Sequence, residues 1–258
     1  MRISSKQNAP TRATEAPVHY GIDLAWGYRA PTGAAEVDGS GRLTRTASLR
    51  TDDEIAEFCR AGLGTSSIVA FDAPLIVRNT TGQRPCERSI AHAFGAYGAG
   101  AHPTNLSRPA IGPRPRADVL ASRLGLPIAL TPSHSSAIEV YPHPAMVAWF
   151  GLDRVIPYKA KSGRSVTDRA AAFGQLLALM EEHLGSVLAL ADSASWQRIR
   201  AQTASAARQV DLDRVEDEID AVCCAHLAWL WASDSDSLSV HGDLETGFIV
   251  VPPPPTLR

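Results

Sequence analysis

Two carboxylates stand inside short apolar runs, Asp23 in GIDLAWG and Asp72 in VAFDAP, and a third, Glu139, follows in AIEVYPHP. An acid in such a run is costly to bury unless it is paired or bound to a cation. The stretch DLDRVEDEID at 211–220 supplies more, and Asp217 and Asp220, three apart, share one face of a predicted helix. Asp220 marks the border where that helix turns apolar through Val222, Cys223, Leu227, Leu230 and Trp231. Taken singly, each acid also fits a turn cap or a solvated helix face. Converging carboxylates repel, raise one another's pKa and are stabilised when a hard divalent cation takes their oxygens. The expected cofactor is therefore Mg²⁺ or Mn²⁺, as one ion or two, held by Asp23, Asp72, Asp217 and Asp220. The expected catalytic set is Asp23, Asp72, Glu139 and Asp220, orienting water for attack on phosphorus and stabilising the leaving oxygen.

Basic residues accompany these acids. Arg84, Glu87 and Arg88 occur in RPCER, and Lys159, Lys161 and Arg164 in YKAKSGR. The chain has three lysines, so two within one glycine-bearing loop stand out. Lysine as a point charge and arginine as a planar fork both suit phosphate oxygens, so Arg84, Arg88, Lys159, Lys161 and Arg164 are the expected substrate-binding residues. A solvated loop is the competing account. No HxH or HExxH spacing supports zinc, and His102 and His143, each followed by proline, read as turn residues.

The elements that must carry these residues can be outlined. HYGIDLAWG at 19–27 reads as a central strand covered on both faces. AAEVD (34–38) and RLTRTASL (42–49) continue an antiparallel meander across Gly39-Ser40-Gly41. TDDEIAEFCRAGL (51–63) carries a threonine N-cap and acids in its first turn, the start signals of a helix. SSIVAFDAP (66–74) is a fourth strand, with Asp72 at its carboxyl end because Pro74 cannot extend a ladder. Residues 77–130, rich in Gly, Pro, His and Arg, read as an insertion over the strand ends, with helices at 86–98 and 117–125. SAIEVYPHP (136–144) reads as a further strand ended by proline, helices are predicted at about 166–184, 187–207 and 211–232, and GFIVVP (247–252) as a late strand. This order predicts an α/β fold: a mixed sheet of three antiparallel strands then parallel strands, with helices on both faces.

Composition bounds the rest. At 258 residues, 45% apolar and 20% charged, the chain can bury a full core. Four cysteines at 59, 86, 223 and 224 lack zinc or disulfide-framework spacing and are expected as reduced thiols in the cytoplasm. No window reaches eighteen uninterrupted apolar residues, so no membrane partner is expected. Residues 1–17 read as a disordered leader, 18–252 as the domain and 253–258 as a tail. A net charge of −2 advertises no polyanion partner, although seven arginines face only Glu87 and Asp118 between residues 78 and 123. No aromatic stacking platform is evident either.

The ordered set GIDLAWG, VAFDAPL with RPCER, AIEVYPHPAM, PYKAKSGR and EIDAVCCAHLAW resembles the family catalogued as domain of unknown function 429, over roughly residues 18–252. That resemblance implies a ribonuclease-H-like fold related to Holliday-junction resolvases and a predicted metal-dependent nuclease acting on DNA or RNA. It implies Asp23 as the first-strand metal ligand, Asp72 as the acid after the fourth strand, and Asp220 as the helix acid with Asp217 one turn before it. Glu139 also falls in a family motif. The rival functions are a hydrolase of a small phosphorylated molecule or a non-catalytic binding protein on the same fold. A sugar-kinase-like or actin-like ATPase ranks below both, because DLAWG and DAPLI supply no glycine-rich phosphate loop.

Overall fold

The computed structural model describes residues 17–27, 30–132 and 134–255. Nearly all of the predicted leader, residues 1–16, and the last three residues of the tail lie outside them. In chain order the elements are β1 (His19–Asp23), β2 (Thr32–Val37), β3 (Leu43–Leu49), α1 (Asp52–Arg60), β4 (Ile68–Phe71), α2 (Pro85–Phe94) and α3 (Arg116–Arg123). They continue as β5 (Ser136–Glu139), α4 (Pro142–Phe150), α5 (Val166–Leu188), α6 (Ala194–Ala204), α7 (Gln209–Ser233), β6 (Ser239–Asp243) and β7 (Gly247–Val251).

Five strands form one sheet in the order β3-β2-β1-β4-β5. The β1–β2 and β2–β3 pairs are antiparallel, while β1–β4 and β4–β5 are parallel. This matches the predicted mixed sheet and is consistent with a ribonuclease-H-like arrangement. Alternation along the strands explains why both faces are covered. Val69 and Phe71 of β4 pack with Tyr20, Ile22, Ala137 and the inner faces of α1 and α3. Ile68 and Ala70 point the other way, against Cys224, Leu227, Ala228 and Trp231 of α7. Thr51 caps α1 through its side chain, and Glu54 returns the bond, so the predicted start signal is realised. All four cysteines are free and buried.

Helix α7 lies directly on β1 and β2, and glycine makes this possible. A Cβ at Gly21 would stand 2.0 Å from the Ala225 nitrogen, and one at Gly33 would stand 1.9 Å from the Asp217 carbonyl oxygen. Two glycines therefore let the acidic-to-apolar border of α7 reach the end of β1.

Two expectations are corrected, and one strand is added. The strand predicted over 136–144 stops at Glu139, and Pro142 and Pro144 open a helix, α4. Proline in a first helical turn forfeits no intrahelical bond, so the residues read as strand terminators are in fact helix starters. The helix predicted at 187–207 is two pieces: α5 ends at Leu188, Ala189 adopts a left-handed conformation, and Ser193 caps α6. β6 was not anticipated, because its residues are half-buried or exposed and Gly242 interrupts any alternation. It pairs with β7 in a separate hairpin that meets the main sheet through Val140 and Val250. The insertion divides between two neighbours: Cys86, Ile90 and Phe94 of α2 pack on Ile249 and Val251, whereas α3 packs with α1.

Candidate functional site

The parallel register brings three predicted acids to one edge. Ile22 pairs with Phe71 and Phe71 with Glu139, so Asp23, Asp72 and Glu139 end three adjacent strands on the same side. The Asp72 amide donates to the Ile22 carbonyl at 2.8 Å, fixing Asp72 beside Asp23. From above, the close approach of α7 adds Asp217 and Asp220. A cleft of about 430 Å³ opens at these strand ends and is lined by Asp23, Asp72, Glu139 and Lys159 among others. Asp220 lies behind it, its side chain only 1% exposed.

Lys159 is the hub of the acids. Its ammonium contacts Asp220 Oδ2 and stands 3.6 Å from Asp23 Oδ2 and 3.7 Å from Glu216 Oε1. Burial alone would lower the Lys159 pKa, but Asp220, Asp23 and Glu216 together hold it well above the ordinary lysine range. The Tyr158 hydroxyl donates to Asp220 Oδ1 at 2.6 Å. Arg164 donates to the Lys159 carbonyl at 2.6 Å, and the fully buried Arg169 donates to the Tyr158 carbonyl at 3.0 Å and to Glu216 Oε2 at 2.7 Å. The loop presenting Lys159 is thus held by two arginines.

Desolvation, then repulsion from Asp220, Asp72 and Asp217, raises the Asp23 carboxyl well above the carboxylate range against the pull of Lys159. Asp217 is pushed up to about 7, by desolvation first and then by Asp220, Glu216 and Asp213. Asp72 is likewise pushed up to about 7, by desolvation and then by Asp220 and Glu139, with Lys159 opposing. Folded Asp72 keeps its proton to a higher pH than the unfolded chain. The stability this confers is complete below about 3.8 and is lost as pH climbs through about 7. With metal chelated, Asp72→Asn and wild type should melt together at pH 4, and wild type should fall below the variant by pH 8. A less stable variant at pH 8 would contradict the assigned environment.

Glu139 and Arg84 share the cleft but engage each other. Arg84 donates from Nη1 to Glu139 Oε2 at 2.9 Å and from Nη2 to Oε1 at 2.6 Å, and the Leu75 amide adds a bond to Oε2 at 3.0 Å. Arg84 Nε also binds Glu87 at 2.8 Å, and Glu87 accepts from the Thr104 amide. This buried network ties β5, the segment after β4 and α2 together. Arg88 is exposed and donates to the Gln83 carbonyl at 2.7 Å, Lys161 is exposed, and neither they nor Arg164 line the cleft. Of the predicted basic residues, Lys159 and Arg84 reach it. Glu216, Tyr158, Arg169, Trp26 and Tyr141 were not singled out from the sequence. Glu216 had a usable signal, because it lies one turn before Asp220 on α7.

Among the described residues, no three acidic, histidine or cysteine side chains form a ready cage for a metal ion. The donor chemistry nonetheless suits a hard cation. Asp23 Oδ2 and Asp220 Oδ2 are buried with no hydrogen-bond partner beyond the Lys159 ammonium contact.

Sheet and cleft define the class: an α/β protein whose five-stranded mixed sheet is consistent with a ribonuclease-H-like arrangement and carries a carboxylate–lysine cluster at the carboxyl ends of its parallel strands. The chain belongs to the family described as protein of unknown function DUF429, whose model matches residues 21–245. No curated protein and no solved structure matches it. No helix among the described residues is long and apolar enough to cross a membrane.

Proposed function

We propose that the protein is a metal-dependent phosphodiester hydrolase acting on nucleic acid. The observation that carries this reading is the pair of buried carboxylate oxygens on Asp23, which lines the cleft beside Asp72, and on Asp220 behind it, whose one polar contact among the described residues is the Lys159 ammonium. Asp23, Asp72, Asp217 and Asp220 would hold Mg²⁺ or Mn²⁺, which supplies charge neutralisation and an activated water when bound. Lys159, which lines the cleft and contacts Asp220 and Asp23, would offer its ammonium to a substrate phosphate there. Arg84 and Glu139 keep the cleft wall in place. Four free, buried thiols agree with residence in a reducing compartment such as the cytoplasm.

The second reading, hydrolysis of a small phosphorylated molecule, is favoured by the enclosure of the carboxylates in a cleft of about 430 Å³. Calorimetric titration with Mn²⁺, followed by incubation with labelled DNA and RNA pools and with small phosphodiesters, separates the two. Binding with strand cleavage is the expected result. Binding with turnover of small esters alone would establish the second reading, and absence of metal binding would overturn both.

A further inference from the structure

Two aromatic residues far apart in the sequence, Trp26 and Tyr141, line the cleft. Trp26 follows β1 and Tyr141 follows β5, and the sheet order sets them on either side of the Asp72–Pro74 segment that follows β4. Both are half-buried and both line the cleft. Neither is loosely hung. Arg116, itself largely buried and paired with Asp52, donates from Nη1 to the carbonyls of Ala25 at 2.8 Å and Gly27 at 3.0 Å, clamping the backbone on both sides of Trp26. The Tyr141 ring packs against His143 at 5.6 Å between centroids, and its hydroxyl reaches the Gly100 carbonyl at 3.4 Å. Leu24, Ala73 and Pro74 add apolar surface between them. The charged floor lies at the same opening, where Asp23, only 13% exposed, stands 3.6 Å from Lys159.

We infer that this wall is a nucleobase site, and that substrate enters as one unstacked nucleotide whose ring lies on Trp26 and Tyr141 while its phosphate faces Lys159. Aromatic rings bind a base of any sequence through its π-face. A base stacked within a duplex cannot offer that face, and the sunken carboxylates cannot meet a rigid phosphate ridge, so the nucleotide must leave the stack or come from a single strand. A free mononucleotide and a unit of a single strand present the same chemistry. The inference rests on the hydrolase reading for its phosphate end alone.

The test compares AMP with ribose 5-phosphate, which lacks the base, by calorimetry on the full chain with Ca²⁺ present. AMP should bind the wild type about tenfold tighter or more, a typical stacking effect. Trp26→Leu should remove most of that preference, Trp26→Phe should keep it, and ribose 5-phosphate should bind all three alike. Tyr141→Leu provides the same comparison from the β5 side if Trp26→Leu unfolds. Equal binding of AMP and ribose 5-phosphate by the wild type, binding of neither, or an unchanged preference in both leucine variants would overturn the site. Competition by single-stranded dT10 tenfold better than AMP assigns the strand as source, and competition no better than AMP assigns free nucleotides. A base preference that survives in a wild type that binds no Mn²⁺ and cleaves none of the substrates would leave this site standing and remove the hydrolase reading.

Discussion

Asp23→Asn should abolish Mn²⁺-dependent cleavage and weaken Mn²⁺ binding while raising the melting temperature of the chelated protein. The two effects have one origin. Asp23 sits at the end of β1 with Asp72 bonded to the neighbouring backbone and Asp220 and Asp217 brought over it by α7. Desolvation is the largest influence on its carboxyl, so the charged form is held in the fold at a cost that asparagine avoids. The Lys159 ammonium, 3.6 Å away, offsets part of that cost and keeps its contact with Asp220 in the variant. Loss of a mere outer-shell partner lowers metal affinity or activity by roughly 10–100-fold, so loss of a direct ligand should cost about 100-fold or more. Calorimetry gives the affinity, a single-turnover assay the rate, and scanning calorimetry in chelator the stability. Full cleavage by the variant would remove Asp23 from the site, and a lower melting temperature would show that its contact with Lys159 outweighs desolvation.

Arg84→Met should destabilise the protein more than any surface substitution. The guanidinium is 2% exposed, and its partners Glu139 and Glu87 have side chains 5% and 1% exposed. Removing one member of a buried ion network leaves the others charged and unpaired, at about 3–5 kcal/mol. For a chain of this size that is a fall of roughly 10 °C in melting temperature. Arg84→Lys should recover only part of the loss, because an ammonium cannot make the two parallel bonds to Glu139. Adding Glu139→Gln to Arg84→Met should recover part as well, since it deletes one stranded charge. Thermal denaturation of the set measures this, and a shift below about 2 °C for Arg84→Met would mean the network relaxes into solvent.

The parts of the fold legible beforehand were those with local causes. β1 and β4 were readable because both faces are covered, which makes the runs continuously apolar, and α1 because Thr51 and Glu54 form a reciprocal cap. Prolines misled at 142 and 144, since proline ends a strand and begins a helix with equal ease. β6 escaped because a hairpin strand with Gly242 and exposed side chains carries no period-two signal.

Within the site the same division holds. Asp23 and Asp72 were visible in the sequence because a carboxylate inside an apolar run is rare unless something compensates it, and Asp220 because it marks the border where an acidic helix turns apolar. Which group compensates each acid was a matter for the tertiary structure. Glu139, grouped with the other acids, is claimed by an arginine 55 positions away, while Lys159, placed among the substrate-binding residues, sits among the acids. Trp26 and Tyr141, 115 positions apart in sequence, share a cleft only because β1, β4 and β5 lie side by side. Local pattern reports whether a side chain is buried, since burial sets hydrophobic period and caps. It cannot report against what, because partners far apart in the chain are chosen by strand order, register and the approach of α7 over Gly21 and Gly33.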